Sequence, residues 1–546
     1  MPPVRSATGS LVVAALLAVA PLGAQWSRAD SLRGAPDSPG RGWWDVTHYD
    51  LDVRIQPADS TLRGSTRIAF RVVRPGTDWQ VDLQAPLVID SVLQDGRRLS
   101  WRDEGAAHFV AGVSGTVGTV QAVTVFYSGR PRVAPRPPWD GGFTWTADSL
   151  GRPWIVTTDQ GIGASVWWPN KDTQADEPDS MRVTVAVPAS VGAHVGAGHL
   201  AAADTMAGWL RRTWVVHNPI NNYAIAIAAG HYAHWQEVLD GEAGPLTMDF
   251  FPLDYHEAAA RRQWVQARTT LQCFEHWFGP YPWYADGYKL IEVPNNGMEH
   301  QSAVTYGNLF ANGYRRRDGS GTGLGLQWDF IIVHESAHEW WGNNLTTADL
   351  ADMWVHESFA NYAENLYTEC RFGTAAGARY VIGTRQGIRN DRPIIPAAYG
   401  VNAQGSGDMY PKGGNMLHTI RQIVADDDRW RQILRGLQST YRHQIVTGQQ
   451  VQDYISRESG IDLSRVFAQY LTTTDIPVLE WRRVPDGVRY RWSGVLPGFD
   501  MPVDVAVGVG QVVRLRPTTA WQGQALPAEA SFVVDEDFYV TSKELP

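Results

Sequence analysis

The sequence predicts a multidomain α+β protein in which a helical block lies between two blocks of β-strands. Residues 40–229 alternate apolar and polar side chains as strands do, residues 230–475 carry apolar side chains at helical spacing, and residues 476–546 alternate again. A chain of 546 residues is long enough for three or four domains. The three blocks are therefore expected to be separate domains.

The N-terminal segment, residues 1–24, has the composition of a signal peptide. Arg5 precedes the apolar run 11–22, and the sequence Leu22-Gly23-Ala24 is suitable for cleavage. The run is too short to cross a bilayer as a helix, so an uncleaved N-terminal anchor is the less favoured alternative. We therefore expect an exported protein, periplasmic or extracellular, with no stable membrane insertion after the signal is cleaved.

Strand patterns and turn signals divide the first block, residues 40–229. Apolar residues alternate with charged residues over 50–55, which is typical of a half-buried strand. Asp95-Gly96 is a hairpin turn signal, and the proline-rich segment 131–138 predicts a rigid loop. The apolar run 223–229 predicts a last, well-buried strand of an all-β domain.

The middle block, residues 230–475, is predicted to be mainly helical. Apolar residues over 264–278 follow the i, i+3, i+4 spacing of an amphipathic helix, which Gly279 and the proline after it should end. The glycine-rich segment 319–325 suggests a nucleotide-binding loop, but its glycines do not follow the order found in such loops. A flexible loop is therefore the favoured interpretation of this segment.

The last block, residues 476–546, is predicted to be a small β-sandwich. Residues 488–492 and 503–507 alternate in the manner of strands, and Gly508 and Gly510 mark a turn after the second of them. The number of residues is sufficient for several short strands.

Composition limits the classes of partner. The net charge is −10 and no basic run is present, so neither nucleic acid nor an anionic membrane is expected as a partner. The 24 tryptophans are expected to fill sandwich cores and interdomain seams, with a carbohydrate-binding platform as the alternative. Cys273 and Cys370 fall in predicted helices, where two buried free thiols are favoured over a single disulfide.

An H-E-x-x-H motif gives the strongest chemical signal. Residues 334–338 are His-Glu-Ser-Ala-His, and Glu357 follows after a gap of eighteen residues. Side chains at i and i+4 share one face of a helix, so His334 and His338 can bind one metal ion. With Glu357 they would form a zinc site with one open position, where the Glu335 carboxylate can reach a bound water. The pattern therefore indicates metal-assisted hydrolysis.

The competing interpretation of this motif is a surface helix that happens to carry two histidines. The apolar stretch 330–333 before the motif indicates a buried helix, and Gly342 provides a stop signal. A second helix is predicted from an N-cap near Asp352 to Gly373, and it carries Glu357 in its first turn. Two buried helices that face each other fit a metal site better than a surface helix does.

Other segments around the motif occur in a recognisable order. They are Phe-Gly-Pro-Tyr-Pro at 278–282, Asn-Gly-Met-Glu-His at 296–300, Trp-Val-His-Glu-Ser-Phe-Ala at 354–360 and Tyr-Pro-Lys-Gly-Gly at 410–414. Together with the zinc motif they resemble the exopeptidase, zinc-helix and tyrosine segments of the aminopeptidase N family of zinc aminopeptidases. Weaker likeness extends from about residue 48 to about residue 471.

The resemblance implies a fold and an activity. The first block corresponds to the family's N-terminal all-β saddle, and the second to its thermolysin-like, mainly helical catalytic domain. The third corresponds to a small C-terminal β-sandwich, with too few residues for the long helical domain of larger members. The implied activity is the removal of N-terminal residues from peptides with a free N-terminus, and the implied cofactor is one zinc ion per chain.

Roles for the metal-binding and catalytic side chains follow from the motif and from the resemblance. His334, His338 and Glu357 would hold zinc. Glu335 would take a proton from the attacking water and pass it to the leaving amine. The resemblance implies that the Tyr410 hydroxyl stabilises the transition state.

The resemblance also implies substrate-binding residues. Glu299 would bind the α-ammonium group of the substrate, because a buried carboxylate pairs well with a cation. Gln160 would be a second amine-binding side chain. Gly297 and Met298 would lie along the substrate backbone, with Met298 at the first side-chain pocket.

Three positions depart from the family's motifs. Asn296 stands in place of Gly, and His300 and His356 each stand in place of Asn. His300 is expected to replace an amide hydrogen bond, with metal binding as the alternative. His356 is expected to face away from the metal because its neighbour Glu357 must face it.

Two other classes of protein remain compatible with the sequence. A zinc endopeptidase would share the same ligands and base, although the Glu299 motif argues against it. A non-catalytic peptide-binding protein on the same fold would usually lack Glu335 or Tyr410, and both are present.

Overall fold

The computed structural model describes residues 27–527 and 529–546. The expected signal peptide, residues 1–24, lies outside the described residues. No helix in the described part of the chain is both long enough and apolar enough to cross a membrane.

The N-terminal part is built from strands. After the short helix α1 (Arg28–Gly34), the strands are β1 (Trp44–Gln56), β2 (Thr61–Val72), β3 (Asp78–Asp82), β4 (Val88–Gln94), β5 (Arg97–Leu99), β6 (Trp101–Glu104), β7 (Ala107–Ala111), β8 (Val120–Gly129), β9 (Gly142–Ala147), β10 (Pro153–Thr158), β11 (Ser180–Pro188), β12 (Ala193–Val195), β13 (His199–Met206), β14 (Trp209–Val216) and β15 (Ala228–Gly230). They form an eight-stranded sheet in the order β13-β14-β11-β1-β2-β8-β4-β5, a four-stranded sheet β12-β15-β10-β9 and a three-stranded sheet β3-β7-β6.

The alternating pattern of the sequence explains the large sheet. In β1, Leu51, Val53 and Ile55 are fully buried, while the charged residues between them lie toward the other face. Only the central pair β1 and β11 is parallel, and the other neighbours run antiparallel. The predicted hairpin at Asp95-Gly96 is confirmed, since it joins β4 to its antiparallel partner β5.

The predicted strand over 223–229 is wrong. Asn222–Ala224 form a single 3-10 turn, and only Ala228–Gly230 pair as a strand. The turn forms because the Asn221 side chain caps it, accepting a hydrogen bond from the Tyr223 amide.

The middle part, which lies wholly within the described residues, contains a mixed sheet and nine α-helices. Its elements are β16 (Trp235–Gly241), β17 (Gly244–Phe251), α2 (Glu257–Gln263), α3 (Gln266–Phe278), β18 (Tyr288–Glu292), β19 (Gly297–Met298), β20 (Val304–Tyr306), α4 (Phe330–Ala337), β21 (Leu345–Thr347), α5 (Trp354–Phe372), α6 (Thr374–Thr384), α7 (Pro411–Val424), α8 (Asp427–Thr440), β22 (Gln444–Val446), α9 (Gly448–Ser459) and α10 (Ser464–Thr472). The sheet has the order β16-β17-β18-β20-β19, and β21 pairs with β22.

Helix ends in this part differ in detail from those predicted. The chain bends at Trp264, so the predicted helix over 264–278 begins two residues later, as α3. Helix α4 ends at Ala337, ahead of the stop signal at Gly342. Helix α5 follows a 3-10 turn that is capped by Asp349, so Asp352 is not the N-cap.

A disulfide joins Cys273 of α3 to Cys370 of α5, so the expectation of two free thiols is wrong. The two helices pack against each other and bring the Cα atoms of these residues within 6.2 Å, a usual separation for a bridge. The cysteines are 97 residues apart in the chain, and the sequence pattern gave no measure of their distance in space.

The C-terminal part forms two small sheets. Its strands are β23 (Val478–Val484), β24 (Gly487–Ser493), β25 (Val503–Gly508), β26 (Gln511–Leu515), β27 (Gln522–Ala525), β28 (Val533–Val534) and β29 (Thr541–Glu544), in the orders β27-β24-β23-β29 and β26-β25-β28. Their buried side chains, such as Trp492 and Val505, continue the core of the helical part.

The tryptophans mostly fill cores, as predicted. Twelve of the described tryptophans are less than 2% exposed, which leaves them unavailable as a carbohydrate platform. The core of the N-terminal part also takes in Phe251, Ile291 and Val293 from the middle sheet. The seam between the two parts is therefore packed with apolar side chains.

Candidate active site

Helix α4 presents the two motif histidines. The helix begins at Asp329, whose carboxylate accepts hydrogen bonds from the amides of Ile331 and Ile332 at 3.2 and 3.4 Å. Ile332 and Val333 are fully buried in the core, which fixes the rotation of the helix about its axis. The opposite face then points into a cavity at the junction with α5.

The three predicted metal ligands lie together in this cavity. The Nε2 atoms of His334 and His338 are 3.4 Å apart, and they lie 3.6 and 3.4 Å from Oε2 of Glu357. Ligand atoms about 2.0–2.2 Å from a tetrahedral zinc ion lie roughly 3.3–3.6 Å from one another. Oε2 of Glu357 is also buried without a hydrogen-bond partner in the described part of the chain, which is costly unless a cation is bound. The site therefore fits zinc.

Two acceptors orient the histidine rings for metal binding. Nδ1 of His334 lies 2.9 Å from Oε1 of Glu364, and Nδ1 of His338 lies 2.8 Å from the carbonyl oxygen of Trp341. A carboxylate and a carbonyl can only accept, so each ring carries its proton on Nδ1 and keeps the lone pair of Nε2 for the metal.

The sequence pattern had not pointed to Glu364, although a signal for it was present. Glu364 is seven residues after Glu357, which is two helical turns along the same face of α5. Its carboxylate also accepts hydrogen bonds from Asn361 at 3.1 Å and from the Tyr380 hydroxyl at 2.7 Å. These donors hold it toward His334.

The Glu335 carboxylate also lines the cavity, beside the metal-binding side chains. Burial raises the pKa of Glu335 to about 7, although the charges of His334 and His338 act in the opposite direction. A general base works best with a pKa near the working pH. The position and environment of Glu335 therefore suit a proton acceptor.

Tyr410 lies on the other side of the metal site, at the start of α7. Its ring centroid is 5.9 Å from that of His334, and burial and the negative charge of Glu357 raise the pKa of the phenol well above its usual value. The hydroxyl therefore stays protonated and can donate a hydrogen bond. Gly413 allows this arrangement, because a Cβ atom there would lie 1.9 Å from Oγ of Ser358 on α5.

Glu299 forms the end of the cavity. Its Oε1 accepts hydrogen bonds from the Tyr223 hydroxyl at 3.2 Å and from Nε2 of Gln160. Burial raises the pKa of Glu299, and the nearby charge of His338 opposes this shift. The side-chain amide of Asn343 donates to the Glu299 carbonyl oxygen at 2.8 Å and so anchors the main chain at Glu299.

Tyr223 is a residue that the sequence had not indicated. It belongs to the N-terminal part and lies in the 3-10 turn that replaces the predicted strand. Its hydroxyl reaches Glu299 across 76 residues of sequence, and no local pattern shows such a contact.

Gly297 and Met298 form β19, which is the edge strand of the middle sheet. Gly297 has φ 125°, and a Cβ atom there would lie 2.6 Å from the Thr305 carbonyl oxygen, so only glycine fits. An edge strand has unpaired backbone groups that can hydrogen-bond to an extended peptide. Both residues line the cavity.

The three departures from the family's motifs have separate outcomes. Asn296 bonds to the Tyr314 hydroxyl at 2.5 Å and supports a loop that borders the cavity. His300 was expected to replace an amide hydrogen bond, and this is wrong. Both of its ring nitrogens are buried without a partner in the described residues, and burial lowers its pKa to about 4. His356 faces away from the metal site, as expected, and bonds to the Thr347 amide at 3.1 Å.

One cavity brings the predicted site residues together. It has a volume of about 570 Å³ and lies between the N-terminal and middle parts. Its lining includes all nine of the residues predicted from the sequence: Gln160, Gly297, Met298, Glu299, His334, Glu335, His338, Glu357 and Tyr410. The N-terminal part adds Trp139, whose side chain is 63% exposed at the rim.

Comparison with known proteins agrees with this geometry. Residues 265–470, which include the metal ligands, Glu335, Glu299 and Tyr410, match the model of the peptidase family M1 domain. The matched segment is similar to a peptidase M1 domain. The likeness to the aminopeptidase N family that the motifs predicted is confirmed.

Curated proteins that resemble this chain include aminopeptidases. Probable aminopeptidase 1 of Sulfurisphaera tokodaii is 24% identical over 239 residues, which are 41% of this chain and 30% of that protein. Aminopeptidase B of Mus musculus is 23% identical over 317 residues, which are 54% of this chain and 44% of that protein. The matched segment thus spans less than half the length of either relative.

Solved structures match over a larger share of the chain. The M1 zinc metallopeptidase from Deinococcus radiodurans is 20% identical, with a TM-score of 0.66 over 80% of this chain and 95% of that chain. A two-domain M1 zinc metallopeptidase with bound L-tryptophan gives a TM-score of 0.68 over 80% of this chain and 96% of that chain. The predicted fold class, an all-β part, then a mainly helical part, then a small C-terminal β part, is confirmed.

Proposed function

We propose that this protein is a zinc-dependent aminopeptidase that removes residues from the N-terminus of peptides. The observation that carries the proposal is the buried carboxylate of Glu299 at the end of the cavity that holds His334, His338 and Glu357. The two hydrogen-bond donors to Glu299, Tyr223 and Gln160, are neutral. A carboxylate buried among neutral donors is stabilised by a cation, and the α-ammonium group of a peptide supplies one.

Each catalytic residue then has a defined task. His334, His338 and Glu357 would hold the zinc ion, which supplies a water of lowered pKa and polarises the scissile carbonyl. Glu335 accepts the proton of the attacking water and delivers it to the leaving amine. Tyr410 donates its hydroxyl hydrogen to the oxygen that becomes negative in the transition state.

The substrate-binding residues fix where the peptide is cut. Glu299 holds the ammonium group of the substrate, and hydrogen bonds from Tyr223 and Gln160 keep the Glu299 carboxylate in place. The edge strand of Gly297 and Met298 pairs with the peptide backbone. The ammonium group is held at Glu299, and Glu299 and the metal site are fixed relative to each other. Only the first peptide bond of the substrate is therefore placed beside Glu335.

The proposal includes one zinc ion per chain at this centre, peptides with a free N-terminus as substrates, and no nucleic-acid partner. We also infer that the protein is exported to the periplasm or the extracellular space. The signal-peptide composition of residues 1–24 supports this, and so does the disulfide between Cys273 and Cys370, because such bonds persist in oxidising compartments.

The test is hydrolysis of matched substrates with and without a chelator. Purified protein should cleave free aminoacyl chromogenic amides and shorten peptides one residue at a time, and a chelator should abolish both activities. Added zinc should restore them. Internal cleavage of N-acetylated peptides at a comparable rate would favour a zinc endopeptidase instead. Peptide binding without turnover would favour a non-catalytic binding protein.

A further inference from the structure

A second group of metal-binding side chains lies away from the active-site cavity. In residues 27–527 and 529–546, two groups of three such side chains have ligand atoms within 4.8 Å of one another. One group is the predicted metal ligands His334, His338 and Glu357, and the other is His199, His217 and Asp286. We propose that the second group binds a divalent transition-metal ion such as zinc, and that this ion joins the N-terminal part to the middle part.

The two histidines are brought together by the hairpin of β13 and β14. His199 pairs with Val215 in the register of these strands, and His217 lies two residues beyond Val215. His217 is the first residue after β14, and its ring lies next to that of His199. Their centroids are 5.4 Å apart, close to the 5.0 Å between the rings of His334 and His338.

Asp286 approaches this pair from the middle part, in the loop between α3 and β18. Its carboxylate is completely buried. Oδ1 accepts a hydrogen bond from the His217 amide at 2.9 Å, and Oδ2 accepts one from the Asn218 side chain at 2.5 Å. These donors orient the carboxylate toward the histidines, as supporting hydrogen bonds do around metal ligands. Nδ1 of His217 lies 3.3 Å from Oδ1, a separation typical of two ligands on one tetrahedral ion.

An ordinary ion pair between His217 and Asp286 is the simpler interpretation of these contacts. It does not account for the position of the exposed His199 ring, which lies 5.4 Å from the His217 ring and has a ligand nitrogen within 4.8 Å of those of the other two residues. The nearby ammonium group of Lys289 does not form an ion pair with the Asp286 carboxylate. It donates instead to the carbonyl oxygens of Asp286 and Ser302 at 3.0 and 2.9 Å.

The ligand types indicate which ion would bind. Imidazole nitrogens suit zinc, copper and nickel, whereas calcium and magnesium prefer oxygen ligands. The His217 side chain is 54% exposed, so water can complete the coordination shell and the ion can exchange with solvent. Because the ligands come from two parts of the chain, bound metal should stabilise the contact between them.

The experiment titrates zinc chloride into the enzyme already loaded at its catalytic centre and freed of excess metal. Calorimetry and elemental analysis should find a second equivalent in the wild type. His199→Ala and His217→Ala should each lose this second equivalent and keep the first. His231→Ala, which changes a histidine outside the group, should keep both. Excess zinc should raise the Tm of the wild type and of the control, but not that of the other two variants.

Two outcomes would overturn the second site. One is a wild type that still holds only the catalytic equivalent of zinc at the end of the titration. The other is a second equivalent that persists in both His199→Ala and His217→Ala, which would place the extra ion elsewhere. Neither outcome depends on aminopeptidase activity, so a failure of this site is distinct from a failure of the proposed reaction.

Discussion

The hydroxyl of Tyr223 lies 3.2 Å from Oε1 of Glu299 and links the N-terminal β part to the carboxylate that we propose binds the substrate amine. Burial raises the pKa of Tyr223 well above its usual value, and the negative charge of Glu299 adds to the shift, so the phenol stays a donor. The N-terminal part therefore contributes side chains to the proposed substrate site as well as packing against the middle part. Gln160, from the same part, gives Glu299 a second donor.

Replacement of Tyr223 by Phe tests this link. A buried carboxylate that loses one donor is held less well, and a hydrogen bond to a charged group contributes about 1.5–3 kcal/mol. We expect kcat/KM for free aminoacyl amides to fall by about tenfold or more. Tyr232→Phe is a matched control, since its hydroxyl donates to the Glu292 carbonyl oxygen and not to Glu299. Equal losses in the two variants would mean that the Tyr223 effect is structural.

Replacement of Glu364 by Gln tests the orientation of His334. The variant loses the charged acceptor that fixes the Nδ1 proton, and such changes typically weaken metal binding by about 10- to 100-fold. The expected result is faster loss of zinc to a competing chelator, with much of the activity regained at high zinc concentration. Unchanged zinc affinity would show that Glu364 does not support the metal.

The sequence predicted the metal ligands because they follow local rules. The spacing of His334 and His338 is about one helical turn, and Glu357 lies in the first turn of a recognisable helix. Tyr223 could not be found in this way, because its contact with Glu299 is set by the packing of two separate parts of the chain. The apolar run that contains Tyr223 also resembled a strand, and the capping side chain of Asn221 changed it into a turn.

The same distinction applies to the rest of the fold. The alternation in β1 and the turn at Asp95-Gly96 predicted their strands, because burial of one face imposes a period of two. The bond between Cys273 and Cys370 depends on which helices pack together, and cysteine spacing carries no such information. The partnerless ring of His300 likewise results from its surroundings, which the motif does not describe.

Replacement of Glu335 by Gln should separate metal binding from proton transfer. The amide keeps the shape of the side chain but cannot accept a proton, so we expect turnover to fall by roughly 10²-fold or more. Zinc content should equal that of the wild type loaded under the same conditions, by elemental analysis, since Glu335 is not a ligand. Near-normal turnover in a zinc-loaded variant would contradict the role of Glu335 as the base.

Replacement of Tyr410 by Phe removes one hydroxyl and little volume. The lost hydrogen bond is made mainly to the transition state, so turnover should fall by about 10²-fold while KM changes little. Tyr441→Phe serves as a control because Tyr441 does not line the cavity. A large rise in KM with unchanged turnover would make Tyr410 a substrate-binding residue.

Glu299 decides between an aminopeptidase and an endopeptidase, so its replacement is the most informative change. The carboxylate compensates the desolvation of a substrate ammonium group, whereas an N-acetylated substrate offers no charge and brings extra volume to the same place. A charge-assisted hydrogen bond contributes about 1.5–3 kcal/mol, or roughly 10- to 150-fold in rate. Wild-type enzyme should therefore cut free substrates and hardly any acetylated ones. Glu299→Gln and Glu299→Ala should reduce this selectivity by slowing the free substrates, as measured by kcat/KM on matched free and acetylated amides. If both variants kept the wild-type ratio, selection of the free N-terminus would have to come from another group.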